Sequence, residues 1–218
     1  MINIAIDGPC GAGKSTISKL IAKKLSYTYL DTGAMYRAVG LYAFENNFDL
    51  VSGDIESLLT QIKLDIAYNK SIDKTVILVN GKDVSDKIRE HFVSKLASEI
   101  SKIKEVRSFL VQMQRKIANG KNVVLDGRDI GTQVLPNATY KFFLTADPKE
   151  RAKRRFDELV AKGEIVNFDD ILNDVNERDS NDINRKESPL KQASDAILID
   201  SSGKDIQQVV LEILSYIH

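Results

Sequence analysis

Gly8-Pro9-Cys10-Gly11-Ala12-Gly13-Lys14-Ser15 sets the architecture of this chain. The octet satisfies G-x-x-x-x-G-K-[ST] at every fixed position, the pattern of a phosphate-binding loop. Before it runs a short apolar stretch, Ile2-Asn3-Ile4-Ala5-Ile6, and after it Thr16 to Leu25 carries helical periodicity. The loop therefore stands in the strand–loop–helix context that gives the pattern its meaning. Its glycines let backbone N–H groups turn inward around phosphate oxygens, and the N-terminus of the next helix adds positive potential. Gly8 through Ser15, together with Thr16, are candidates for cradling a nucleoside triphosphate. Within the motif Lys14 reaches the β- and γ-phosphates and the Ser15 hydroxyl ligates Mg²⁺.

Outward from the loop, the rest of the chain alternates. Ile2–Ile6, Tyr27–Leu30, Val123–Leu125, Tyr140–Leu144 and Ala196–Ile199 read as short buried parallel strands, most of them ending at or just before an Asp or Thr. Helical stretches separate them. In the last, Asp205 to Ile217, the residues Ile206, Val209, Val210, Ile213, Leu214 and Ile217 form one apolar stripe that reads as core packing. Strands alternating with helices predict a doubly wound α/β fold around a five-stranded parallel sheet. One region breaks the rhythm. Lys63–Asn69 and Thr75–Val79 look like strands, and Asn80-Gly81 offers a type I′ turn into Lys82–Val84. This antiparallel piece, about residues 63 to 85, reads as part of an inserted subdomain to which the helices on both sides can belong, either a surface excursion with no role or a second lobe that closes on a substrate.

The chain has 218 residues, which suits one α/β domain with an insertion. Lys plus Arg and Asp plus Glu both number 31, so no bulk charge points to nucleic acid or an anionic membrane. Eight of the ten arginines nevertheless lie beyond residue 100, where local clusters can meet an anion. No apolar run reaches the roughly eighteen residues of a membrane helix, and no secretory signal is visible. The single cysteine, Cys10, fits a reducing compartment and a cytosolic location. It reads either as a small filler of the loop or as a thiol activated by Lys14 and the helix N-terminus. With only two histidines far apart, a structural zinc site is not expected.

Three further segments carry candidate chemistry. Asp126-Gly127-Arg128-Asp129 follows a strand, so Asp126 could hold Mg²⁺ through water; a simple β-turn with a local Arg–Asp pair explains the tetrad too. Asp31-Thr32-Gly33-Ala34-Met35-Tyr36-Arg37 opens a helix, where a hydroxyl, Tyr36 and Arg37 can converge on one anion; an Asp or Thr cap with a solvated Arg is the alternative. Arg151, Arg154 and Arg155 share a helical face, as in any solvated helix, or as in a clamp on a transferring phosphoryl group. Arg178 and the Asp182-x-x-Arg185 pair add polar groups nearby.

Together these segments closely resemble the cytidylate kinase family, in its long form with an enlarged nucleoside-monophosphate-binding insert. The resemblance rests on Ile6-Asp7-Gly8-Pro9-x-Gly11-Ala12-Gly13-Lys14-Ser15, Asp31 through Arg37, Asp126-Gly127-Arg128-Asp129-Ile130-Gly131-Thr132, and Glu177-Arg178-Asp179 through Asp182-x-Asn184-Arg185. It spans nearly the whole chain in the family's order. Thr32 stands where Ser is also common, and Ser15 where some members have Gly.

The resemblance implies a P-loop kinase core with a small antiparallel insert at about 58–98 and a helical lid at about 148–165, all one domain over 1–218. It implies ATP as donor with Mg²⁺, CMP or dCMP as acceptor, and a monomer. By position, Thr32, Arg37, Arg107 and Arg128 would hold the acceptor phosphate or the nearby nucleotide, with Tyr36 beside them. Ser98, Arg107 and Asp129 would read the cytosine edge, and Asp182 and Arg185 the sugar hydroxyls. Arg151, Arg155 and Arg178 would close over ATP and act with Lys14 and Arg128 in the transfer. Rival readings are a UMP, AMP or metabolite kinase, a GTPase switch, and a nucleotide-dependent nucleic-acid-binding protein. Against the switch, Asn69-Lys70-Ser71-Ile72 lacks the Asp of N-K-x-D, because Asp73 falls one place late, and the segment reads as a turn.

Overall fold

The structure is a computed structural model that describes the backbone of residues 1–69 and 74–218 and the side chains of 1–66 and 76–218. Strand β1 (Asn3–Asp7) leads through the phosphate loop into helix α1 (Lys14–Leu25). Then follow β2 (Thr28–Asp31), α2 (Thr32–Glu45), α3 (Ile55–Thr60), and the insert strands β3 (Leu64–Asn69), β4 (Lys74–Val79) and β5 (Lys82–Asp83). Helices α4 (His91–Ile100) and α5 (Lys104–Ala118) return the chain to β6 (Val123–Gly127). A π-helical turn at Ile130–Val134 precedes β7 (Tyr140–Thr145), and the helices α6 (Pro148–Ala161) and α7 (Phe168–Asn184) form a hairpin. Strand β8 (Ile197–Asp200) and helix α8 (Ile206–Leu214) finish the fold.

The predicted five-stranded parallel sheet is present, in the order β2-β6-β1-β7-β8. Side chains alternate across it, as the pleat requires. Ile4, Ile6 and Val124 face one core shared with α1 and α8, whereas Ala5, Val123 and Leu125 face the other, shared with α2 and α5. Each strand runs one or two residues further than its apolar run. Asp7 pairs with Gly127, Asp31 with Asp126 and Thr145 with Asp200, so the ladder continues into the polar ends that carry the chemistry. Open α/β sheets place ligands outside these carboxyl ends, where the strand order reverses. Here β1 sits between β6 and β7, with its loop at that edge.

The insert is the expected antiparallel sheet, ordered β3-β4-β5. Asn80 and Gly81 have φ of 51° and 80°, the two left-handed residues of a type I′ turn. Ile77, Val79, Val84, Ile88 and Val93 join the same core as α2 and α5, so the insert is fused to the domain. Of the turn read at residues 69–72, Asn69 ends β3 and the rest lies outside the described residues. The α6–α7 hairpin differs, since it has a small core of its own around Ala152, Leu159, Ile171 and Val175. That unit extends through α7, well beyond residue 165, because α7 supplies half of the packing. One part of the α8 stripe departs from expectation. Ile206 is 49% exposed and faces the cleft, because it is the first residue of the helix, beyond the edge of the sheet.

Candidate active site

One cleft of about 1320 Å³ runs along the carboxyl ends of the strands, from α8 past the phosphate loop to α4. Single small-ligand pockets usually hold roughly 300–1,000 Å³, so this one has room for two nucleotides. Its floor is built by close approach. Gly8 has φ of 149°, and a Cβ there would stand 1.9 Å from the Leu144 carbonyl oxygen of β7. Only glycine lets the chain leave β1 at this point. The Lys14 Nζ donates to the Pro9 carbonyl at 2.6 Å within the loop. Burial pulls the Lys14 ammonium down to about 7, and Arg128 pushes the same way.

Beside the loop, Ser15 Oγ donates to Asp126 Oδ2 at 2.8 Å and Tyr29 Oη donates to Oδ1 at 2.9 Å. Burial raises the Asp126 carboxyl to about 7, helped by the negative charge of Asp31. A hydroxyl and a carboxylate side by side form a pair of hard oxygen donors. They fit Mg²⁺, which takes few protein ligands and keeps water and substrate phosphate in the rest of its shell. Among the described residues there is no cluster of three or more His, Cys, Asp or Glu side chains that could hold a metal unaided.

Asp31, rather than Thr32, caps α2, accepting from the Ala34 N–H at 2.9 Å. The Thr32 hydroxyl donates to the Asp126 carbonyl at 2.7 Å and so ties α2 to β6. Tyr36 and Arg37 both line the cleft, although they are sequence neighbours. Tyr36 lies under Arg107, whose guanidinium carbon stands 5.4 Å from the ring centroid. Burial raises the Tyr36 phenol to about 12, so its hydroxyl stays protonated.

The far wall is a chain of alternating charges. Arg107 pairs with Asp129 and also donates to the Ser101 carbonyl at 3.1 Å. Arg185 stands 3.9 Å from Asp129 and 3.5 Å from Asp182, and Arg128 Nε donates to Asp182 at 2.8 Å. Arg107, Asp129 and Asp182 are buried, so each charge relies on its neighbours for solvation. Burial works against the Asp182 carboxylate, yet Arg128, Arg178 and Arg185 together hold it below its ordinary range. Arg37 Nε, Arg107 Nε, Arg178 Nε and Arg185 Nη2 are buried without a hydrogen-bond partner among the described residues. Buried unpaired donors are costly, and four converging on one cleft mark a place for an anionic, hydrogen-bonding guest.

The cleft thus brings together Cys10 through Thr16, Thr32, Tyr36, Arg37, Ser98, Arg107, Arg128, Asp129, Arg155, Arg178, Asp182 and Arg185. Arg178 bridges to the Ser94 carbonyl of α4 at 3.3 Å. Arg151 is placed elsewhere. It is 3% exposed and outside the cleft lining, and its guanidinium donates to the Ala146 and Cys10 carbonyls at 2.9 Å each and pairs with Asp179 at 2.7 Å. Its position one turn into α6 puts it behind the phosphate loop, while Arg154 and Arg155 reach the cleft. Asp179 also accepts from the Cys10 N–H at 3.4 Å, so the loop is braced from α6 and α7. Burial raises the Cys10 thiol, but Arg178, Arg128 and Lys14 outweigh it and bring it below its ordinary value. Sequence reading missed Tyr29, Asp179 and Asp7. Asp7 and Asp179 stood inside quoted motifs, but the amides that donate to them lie more than 120 residues away.

A phosphate loop, a cation-rich cleft and a helical hairpin with a small core of its own beside an α/β core define a P-loop kinase. The comparison with known proteins narrows this class. The family profile of cytidylate kinase matches residues 4–218. A cytidylate kinase of Caldicellulosiruptor saccharolyticus is 51% identical over 98% of this chain and 94% of its own length. One from Clostridium botulinum (strain Loch Maree / Type A3) is 51% identical over 99% of this chain and 97% of its own. Among solved structures, a shikimate kinase from Bacteroides thetaiotaomicron superposes with TM-score 0.50 at 14% identity, covering 99% of this chain and 97% of its own. An uncharacterized protein from Eubacterium ventriosum gives TM-score 0.55 at 16% identity, with 100% and 98% covered. These two likenesses concern the fold alone. The chain belongs to the cytidylate kinase family and is a phosphotransferase of the (d)CMP kinase type. Among the described residues no helix is long and apolar enough to cross a membrane.

Proposed function

We propose that the enzyme transfers the γ-phosphoryl group of ATP to CMP or dCMP, giving ADP and CDP or dCDP, as a monomer in the cytosol. The observation that carries this reading is the Arg107–Asp129–Arg185–Asp182–Arg128 chain facing the phosphate loop across one cleft. A donor triphosphate fits the loop, and an acceptor with one phosphate and a polar base edge fits the opposite wall.

The nucleophile is a phosphate oxygen of the acceptor. A phosphate monoester has a second pKa of about 6, so it is ionised at neutral pH and no general base is required. The work left to the protein is alignment and charge neutralisation of two polyanions. Lys14 and the loop N–H groups hold the donor phosphates. Arg37 and Arg128, with Thr32 at the head of α2, receive the acceptor phosphate. Arg155 and Arg178 reach the charge that spreads over the transferring group. Arg151 acts through the loop as a positioning residue. Ser15, and Asp126 through water, would hold Mg²⁺, which would supply positive charge against the donor phosphates. Ser98, Arg107 and Asp129 supply a donor and acceptor pattern for the amine, ring nitrogen and carbonyl of cytosine. Asp182 and Arg185 meet the sugar.

The test is ADP release in a coupled assay with Mg-ATP against CMP, dCMP, UMP, AMP and no acceptor. Turnover with CMP and dCMP, weak with UMP and absent without acceptor, is the expected pattern. Turnover confined to another acceptor would remove the base-reading roles, and acceptor-independent hydrolysis alone would remove the kinase roles of the arginines.

A further inference from the structure

Asp7 is the last residue of β1, one position before the phosphate loop, and it is 4% exposed. Its side chain turns away from that loop. Oδ1 accepts from the Ile130 N–H at 2.8 Å and Oδ2 from the Gly131 N–H at 2.7 Å. These are the first two amides of the π-helical turn that follows Asp129. Asp129 itself has φ of −143° and ψ of 25°, a conformation outside helix and strand, and no side-chain cap of its own holds the turn. The turn also packs tightly. A Cβ on Gly131 would meet Lys141 Cδ at 3.1 Å and Asp7 Oδ2 at 3.4 Å. From the other end, Arg115 donates to the Val134 carbonyl at 3.0 Å. A buried carboxylate without a cation in contact is expensive, and burial indeed drives its pKa up, to about 6. Two charge-assisted bonds to backbone are what it gains.

We infer that Asp7 is a positioning residue for acceptor recognition: its carboxylate clamps the Ile130 and Gly131 amides and so fixes Asp129 against Arg107 and Arg185. The inference rests on the acceptor reading of Asp129 given above. Asp7 touches no substrate in this account. It acts through the backbone, and it links the strand that carries the donor loop to the turn that presents the acceptor-reading carboxylate.

The experiment is a double-mutant cycle with D7N, D129A and D7N/D129A, reading KM for CMP, KM for ATP and kcat. Asn keeps the shape but offers one acceptor where two amides wait. D7N should raise the CMP KM about tenfold or more, the scale of a small misplacement, and leave the ATP KM within about twofold. In the D129A background the same substitution should change the CMP KM no further. An additive effect in the double variant, no effect of D7N on CMP, or equal losses for ATP and CMP would overturn the inference, because a merely structural defect spreads over both substrates. If D129A alone leaves CMP binding intact, the acceptor reading fails instead, and the two failures are distinguishable. Should D7N not fold, the cycle is run with Asp7→Glu, which keeps the charge but moves both oxygens away from the Ile130 and Gly131 amides by one methylene. A CMP-specific loss that vanishes with D129A then supports the inference, and no loss or an additive one overturns it.

Discussion

At the scale of single residues, the cleft shows stability given up for function. Lys14, Asp126 and Asp7 are all buried, and burial moves each away from its charged form. Lys14→Ala removes the cation proposed for the donor phosphates while relieving a buried charge. Transfer should fall by on the order of 10³-fold, as for loss of a charge that acts in the transition state, with the thermal midpoint unchanged or higher. Near-normal turnover would withdraw the loop assignment. Asp7 makes a second case, with the sign fixed by linkage. Its folded pKa of about 6 lies above the ordinary 3.8, so the native state keeps the proton over that window and the unfolded state does not. The stability linked to that proton is complete below about pH 4 and is lost as pH rises through 6. Across that window wild type should lose roughly 3 kcal/mol relative to D7N. Unfolding free energies of the two proteins at about pH 4 and pH 7 measure this, and parallel pH curves would contradict it.

At the scale of elements, legibility followed distance along the chain. The phosphate loop, the Asn80-Gly81 turn and the five strands were readable because their signals are local: fixed spacings, left-handed dipeptides and apolar runs. Strand ends were read short because Asp7, Gly127 and Asp200 are polar or small, and only pairing with a neighbour keeps them in the ladder. Arg151 and Arg155 looked equivalent by helical spacing. Which one faces the cleft depends on where α6 docks, and that is set by Asp179 and the Cys10 carbonyl, contacts no local pattern encodes. Gly8 shows both kinds of information in one residue. Its place in the motif was legible, yet the reason for it is the Leu144 carbonyl of β7, 136 positions later. Gly8→Ala should displace either the loop or β7 at a cost of about 3 kcal/mol or more, a size reserved for backbone clashes and similar defects. Chemical denaturation reads the loss, and a cost under about 1 kcal/mol would mean that the close approach is not rigid.

At the scale of the whole molecule, two parts of the cleft are held very differently. The insert shares the main core through Ile77, Val79 and Val93, so the wall carrying Ser98 is an extension of the domain. The α6–α7 hairpin packs on its own small core, and its tip exposes Val160 and Ile165. It joins the rest through several contacts, among them the Arg128–Asp182 pair, the Arg154–Ser201 bonds and the Arg178–Ser94 bond. At the base of the hairpin, Arg151 and Asp179 brace the phosphate loop. Across the cleft, Asp174 lies 3.7 Å from both His91 and Lys95 of α4, and these partly exposed pairs are worth little individually. The exposed tip, away from those contacts, is the part that opens locally at low cost. Both substrates are polyanions, and Arg155 and Arg178 sit on the hairpin, so occupation of the cleft should draw it inward and exclude water from the transferring group. Amide hydrogen exchange should therefore slow by about tenfold or more over residues 154–175 when ATP and CMP are present together, which corresponds to roughly 1.4 kcal/mol of added local stability. Either nucleotide alone should give a smaller effect, because each meets only part of the charged surface. The amides of β1 and β6, already in the most protected core, should not change. If the hairpin exchanges at the same rate with both nucleotides bound, it is not a lid, and Arg155 and Arg178 lose their place beside the transferring phosphoryl group.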